Sequence, residues 1–317
     1  MRISGFSMVR NATRLYYPIR EAILSILPIC DEFVVALGQG EPDDRTAEEL
    51  ARIDSPKLRI LRTTWDLERF PRGSVHAQQT DLAMQACTGD WLFYVQSDEV
   101  VHERYLPVIQ RRCEELLHDG EVEGLLFRYK HFWGDYRHYV QSHAMYPHEV
   151  RIVRRDPDIH SWWTAQGFRR IPHFDGASYR AKAGTHKLKV ARVDAEIFHY
   201  GFVRPPHLMQ RKNKAFRTIH WGATQAEREF RDRPAVFDYG NLSRLAEYSD
   251  THPAVMAERI AAMDWQDQLR YDEVPGRRTR HRHERLKYRL LTAVEQHLLG
   301  GRQLFGYRNF VLLGDRG

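Results

Sequence analysis

The tetrapeptide Gln96-Ser97-Asp98-Glu99 ends a run of β-forming residues, Trp91-Leu92-Phe93-Tyr94-Val95, and so puts two carboxylates at the edge of a sheet. A carboxylate there has two ordinary uses, to cap the next helix or to hold a hard cation. Magnesium and manganese take oxygen ligands and are commonly held by one or two carboxylates together with substrate phosphates, which makes Asp98 a candidate metal ligand. His199, in Ile197-Phe198-His199-Tyr200-Gly201, is a second candidate, because a neutral imidazole at a neighbouring strand end can complete such a site. A histidine in that setting also serves as an ordinary structural residue.

The elements that must position these residues are written in the first hundred positions as strand-like runs alternating with helical patterns, the signature of a mostly parallel sheet covered by helices. Ile3 to Met8 reads as a strand and Tyr17 to Leu27 as a helix with Ile19, Ile23, Ile26 and Leu27 at helical spacing. Phe33 to Leu37 is a buried strand, and Asp44 is placed to cap a helix ending near Ile53. Leu58 to Leu61 is a strand, and Ser74 to Cys87 a helix leading to Trp91 to Val95. Beyond a helix from about Glu103 to Leu117 come strands at Leu125 to Tyr129, Val150 to Val153 and Ala195 to His199. Pro205-Pro206 opens a run of helical patterns reaching roughly Leu299, so the chain divides into an α/β unit over 1–203 and a mostly helical region over 204–317.

In a parallel sheet the residues after successive strands converge on one crevice. That brings together Val9, Arg10 and Asn11, then Gly38 to Thr46, then Gln96 to Glu99, and His199 to Gly201. Hydride transfer with a dinucleotide fails on spacing, because Gly38-Gln39-Gly40 has Asp43 where a third glycine belongs and follows the second strand. Arg204, Arg211, Lys212 and Lys214 come just after His199, and some could reach a diphosphate; residues two apart on a helix point away from each other, so at most one of Lys212 and Lys214 is expected to do so.

These 317 residues are 42% hydrophobic and 12% aromatic with no low-complexity tract, enough for a globular fold with a sizeable core. Cys30, Cys87 and Cys113 lack the spacing of a zinc ribbon or redox motif; with no apolar leader and no membrane-spanning run, the expected location is the cytoplasm. The net charge of +6 is concentrated late, in Arg277-Arg278-Thr279-Arg280-His281-Arg282-His283-Glu284-Arg285, a tract suited to phosphate or to a solvated helix face. Apolar residues Leu290, Leu291, Val294, Leu298 and Leu299 interleave with basic ones, a pattern for peripheral contact with the inner membrane face or for packing on the body or a second subunit.

The N-terminal 201 residues or so resemble the glycosyltransferase family 2 proteins of GT-A fold, an α/β Rossmann-like architecture. The resemblance rests on Val9-Arg10-Asn11, on Asp44-Arg45-Thr46 as the family's Asp-x-Thr, and on Thr88-Gly89-Asp90-Trp91 before Gln96-Ser97-Asp98-Glu99 as its Asp-x-Asp. It implies a nucleotide-diphosphate sugar donor held by Val9, Arg10, Asn11, Gly38, Asp44, Thr46, Gln96, Ser97 and Arg204, a magnesium or manganese ion on Asp98 and His199, and a saccharide or glycolipid acceptor attacked with inversion.

Gln96 replaces the motif's first aspartate, and Leu37-Gly38-Gln39-Gly40 lacks the acidic pair that contacts the base in relatives. Where relatives carry a His-Glu pair this chain has His160-Ser161, so the proton acceptor is sought among Glu99, Glu149, His160, Asp156 and Asp158. The aromatic stretch Tyr129 to Tyr136, Asp135 within it, and Trp162-Trp163 fit either an acceptor groove or the core. Competing functions are a polyanion-binding protein, for which no nucleic-acid module is found, a nucleotide-sugar-processing enzyme of the same architecture, and a metal-dependent hydrolase, for which no His-Glu-x-x-His occurs.

Overall fold

The computed structural model describes residues 1–272, 280–306 and 308–314. In chain order the elements are β1 (Ile3–Val9), α1 (Ile19–Ile26), β2 (Glu32–Gly38), α2 (Thr46–Ala51), β3 (Leu58–Thr63), α3 (Ser74–Gln85), β4 (Trp91–Tyr94), β5 (Glu99–Val101), α4 (Leu106–Glu115), β6 (Gly124–Trp133) and β7 (His138–Tyr139). There follow β8 (His148–Arg154), β9 (Ile159–Trp162), β10 (Gly167–Arg170), β11 (His186–Phe202), α5 (Pro206–Trp221), α6 (Ala223–Phe230), β12 (Ala246–Glu247), α7 (Ala257–Ala261), α8 (Leu286–Leu298) and β13 (Phe310–Leu312).

The main row of the sheet is β3-β2-β1-β4-β8-β6-β11, continued by β10 and β9. From β3 to β4 the pairs are parallel, β8 enters antiparallel to both its neighbours, and β6 and β11 are again parallel. The expected mostly parallel sheet is therefore present, with β8 inverted inside it. Both faces are covered, which is why its strands are continuous apolar runs instead of alternating ones. Phe33, Val35 and Leu37 of β2 pack toward α1 and α4, whereas Val34 and Ala36 pack toward α3.

After β11 the chain is less helical than its sequence pattern predicts. Pro205-Pro206 does open α5, with Pro206 in the first turn where its missing N–H costs nothing, and Gly222 at φ 87° ends it. Between α6 and α7, however, the chain is mostly irregular, and β13 returns to pair in parallel with β11. Tyr239, Leu242, Met256 and Trp265 share an apolar cluster with Phe132, Trp133, Tyr136 and Phe198, so the aromatic stretch that ends β6 is core there and serves to fasten the C-terminal region to the sheet. Asp135, offered as an acceptor contact, is buried and accepts from the His138 and Arg137 backbone and from Tyr271. The alternative that the α8 stripe packs on the body is also corrected, because Leu286, Leu290 and Leu298 face outward. Arg277, Arg278 and Thr279 of the basic tract lie outside the described residues.

Candidate functional site

The C-terminal ends of β1, β4 and β11 open on a crevice of about 950 Å³. Val9, Arg10 and Asn11 line it from β1, Gln96, Ser97 and Asp98 from the end of β4, His199 from β11, and Arg211, Lys212 and Lys214 from α5. Seven of the residues expected at the site are thus brought together, and both lysines border the crevice, Lys214 with its ammonium paired to Glu227 at 2.7 Å. Strand pairing sets the geometry: Glu99 of β5 is abreast of His199 of β11 in a short antiparallel pair, and His199 is abreast of His131 of β6 in a parallel one.

The proton positions at the centre follow from its hydrogen bonds. Burial holds His131 at a pKa of about 4 and pushes His199 well below the usual histidine range, with His131 adding to the latter, so both rings are neutral near pH 7. His131 Nε2 lies 2.8 Å from the Tyr146 carbonyl, which can only accept, so Nε2 carries the His131 proton. The 3.0 Å contact between the two Nδ1 atoms then requires His199 Nδ1–H to donate to His131 Nδ1. His199 Nε2 is left with a bare lone pair, 3.8 Å from Asp98 Oδ2.

Two facing acceptors repel unless a cation stands between or beside them. Lys212 Nζ, 3.7 Å from Asp98 Oδ2 and donating to the Gly201 carbonyl at 2.6 Å, supplies part of that charge, but burial and then Arg204 lower its pKa to about 7. Space for an ion exists because residue 201 is glycine: a Cβ there would lie 2.5 Å from His199 Nε2 and 2.7 Å from Asp98 Oδ2. An oxygen and an imidazole nitrogen flanking a space kept free of side chain suit magnesium or manganese with its remaining ligands from phosphate or water. Among the described residues no group of three or more His, Cys, Asp and Glu side chains converges on a metal position.

Around this centre the crevice is basic and partly aromatic. Arg10 donates to the Gln39 carbonyl, pairs with Glu41 and lies over the Trp65 ring. Arg211 is exposed and has no ion-pair partner among the described residues. Asn11, at φ 57°, accepts from the Glu41 N–H, a left-handed position that asparagine tolerates.

Other expected site residues hold the crevice together from behind. Gly38 does not line it; a Cβ there would strike Trp65, so the glycine makes room for that wall. Asp44 makes no cap and, with Thr46 and Thr13, clasps the loop after β2 to the loop after β1, Thr46 Oγ1 accepting from the Ala12 N–H at 2.7 Å. Arg204 is fully buried over Tyr17, donating to the carbonyls of Leu15 and Gly201.

The five residues considered for proton transfer stay outside the crevice lining. Glu99 is buried and saturated: Arg151 donates to both its oxygens at 2.8 Å, Tyr129 OH at 2.7 Å and the Gln96 N–H at 3.0 Å. Glu149 sits behind Gly167, where burial, reinforced by Glu99 and opposed by Arg151, pushes its pKa up to about 8. His160 belongs to another pocket and bonds Asp81 at 2.8 Å. Asp156 and Asp158 pair with Arg170. What sequence reasoning missed is His131, the group that fixes the His199 tautomer, and the wall residues Trp65 and His76; the available signal for His131 was a second histidine inside an apolar strand.

No protein-family model matches the chain, and no curated protein sequence matches it. Among solved structures it is similar to S. aureus TarS, with 14% identity over 72% of this chain and 42% of that one and a TM-score of 0.39. It is similar also to S. aureus TarS 1–349 in complex with UDP, with 16% identity, 74% and 71% coverage and a TM-score of 0.36. A third is glucosyl-3-phosphoglycerate synthase from Mycobacterium tuberculosis in complex with Mn2+, UDP and phosphoglyceric acid, with 19% identity, 40% and 43% coverage and a TM-score of 0.28. The chain thus spans less than half the length of the first and third of these proteins.

Proposed function

We propose that the chain is a metal-dependent glycosyltransferase of GT-A type, moving a sugar from a nucleoside-diphosphate sugar to an acceptor hydroxyl with inversion, in polysaccharide or glycolipid synthesis. The reading is carried by one observation: Asp98 Oδ2 faces the unprotonated His199 Nε2 across a space that glycine at 201 keeps open, inside a basic crevice. Asp98 and His199 hold the cation, which when bound offsets charge on the departing nucleoside diphosphate. Lys212, beside Asp98, and Arg211 bind phosphate oxygens, and the loops carrying Val9, Arg10 and Asn11, with the Trp65 wall, take the nucleoside. His131 keeps the His199 Nε2 lone pair pointed at the cation position by accepting the hydrogen bond from His199 Nδ1–H. Gln96 and Ser97 fix the turn that presents Asp98, the former bonding the Ala165 carbonyl and the latter the Met8 carbonyl.

The test is calorimetric titration of UDP and other nucleoside diphosphates into wild type and Asp98→Ala, with and without manganese. One nucleotide is expected to bind with manganese and to lose about 100-fold in affinity in the variant. Absence of metal-dependent nucleotide binding overturns the reading. Donor hydrolysis indifferent to every added acceptor would turn it toward a nucleotide-sugar-processing enzyme.

A further inference from the structure

An amphipathic helix on a globular body normally turns its apolar face inward. α8 does the reverse. Leu286, Leu290 and Leu298 are 65%, 59% and 75% exposed, and with Val294, which is 38% exposed, they recur every fourth residue and form one outward stripe. Seven residues on, Phe305 is 95% exposed. The opposite face carries the polar anchors. Buried Glu295 accepts from His143 Nδ1 at 2.6 Å and from the Leu304 N–H at 2.8 Å, and Thr292 accepts from the His143 N–H at 2.9 Å.

We propose that this outward face of α8 docks on an anionic lipid surface. The charge around the stripe selects the occupant. From residue 280 to residue 302 the basic side chains are Arg280, Arg282, Arg285, Lys287, Arg289 and Arg302, against Glu284 and Glu295 alone. Both glutamates are turned to internal partners, Glu284 accepting from the His281 N–H and Glu295 from His143. A second copy of the chain would bring like charges together over the stripe, whereas a bilayer rich in acidic headgroups neutralises them while its acyl region covers the leucines. Among the described residues no helix is long and apolar enough to cross a membrane, so the contact is in the plane of the interface.

The docking face also communicates with the crevice. His143, held by Glu295, belongs to the loop whose next residues, Ala144, Met145 and Tyr146, line it. A bilayer under α8 therefore lies one loop away from the site, and, on the glycosyltransferase reading above, this assigns the acceptor to the lipid-anchored class.

The full chain is tested by flotation with vesicles of equal parts phosphatidylglycerol and phosphatidylcholine, and of phosphatidylcholine alone, at low and high salt. Wild type is expected to float with the anionic vesicles and to be released by salt. Leu290→Glu combined with Leu298→Glu is expected to reduce binding roughly tenfold per leucine, with an unchanged melting temperature because both side chains already face water. Wild type that stays with the soluble fraction, or a variant that floats as wild type does, overturns the proposal. So does a dimer in light scattering that the variant converts to monomer without vesicle binding by either protein. Nucleotide titration of the same two proteins separates the claims: flotation without any nucleotide binding sinks the crevice reading and leaves the lipid surface standing, and the converse does the opposite.

Discussion

Asp98 and Glu99 are adjacent carboxylates with opposite fates, and the two regions they belong to divide the molecule's electrostatics. Asp98 opens on the crevice, approached at 3.7–3.8 Å by Lys212 and His199 and left without a close partner. Glu99, one residue on, is sealed beneath with Arg151, Tyr129 and Glu149 nearby. The contrast teaches that acidity at a strand end does not by itself make a ligand. A carboxylate whose lone pairs are taken by a guanidinium and a phenol is scaffold, and one facing a bare imidazole nitrogen is poised for an incoming cation.

Breaking the sealed layer should have the largest effect. Arg151→Ala removes the buried ion-pair partner of Glu99 and should cost about 3–5 kcal/mol in urea unfolding. Asp98→Asn should change stability by less than about 1 kcal/mol, since the nearest cation to that carboxylate, Lys212 Nζ, stands 3.7 Å away. Comparable losses from both substitutions would erase the distinction between the regions.

The sealed layer should also reveal itself through pH. Glu149 has its pKa raised from 4.5 to about 8, so its contribution to stability is complete below 4.5 and is lost as pH rises through 8. Glu149→Gln cannot ionise and should remove that loss, a difference on the order of 3 kcal/mol between pH 5 and pH 8. The buried histidines whose pKa is lowered act with the opposite slope over the acidic side of this range, but they are common to both proteins and cancel in the comparison. Parallel stability–pH curves would mean that Glu149 is charged in the fold.

The same contrast explains what could be read from sequence. β1, β2 and β4 are legible because strands buried on both faces must be continuous apolar runs, and Asp98 is legible because it interrupts such a run at its end. Arg151 as the lock on Glu99 is not, because it depends on β8 inserting antiparallel between β4 and β6, a pairing between strands far apart in the chain. β13 joins β11 from more than a hundred residues away, which no local period announces. The α8 stripe is plain in sequence, yet its direction is set by where Glu295 and Thr292 find partners on the 141–147 loop. Arg204 illustrates the opposite error: a cation near the site in sequence is spent on two backbone carbonyls.

The finest test concerns the residue that links the regions. His131 touches no crevice surface, yet it is the acceptor that forces the His199 proton onto Nδ1. His131→Phe keeps a flat ring between Tyr146 and His199 and removes that acceptor, so His199 is freed to carry its proton on Nε2 and to donate it to Asp98, 3.8 Å away. Metal-dependent nucleotide affinity should then fall about tenfold, with a loss in stability of about 1 kcal/mol. The tautomer itself is readable from the nitrogen chemical shifts of His199, which should report Nδ1–H in wild type and Nε2–H in the variant. A variant that weakens metal-dependent binding while His199 keeps its Nδ1 proton would show that His131 acts by packing alone, and the separation between a sealed scaffold and an open site would lose its connecting element.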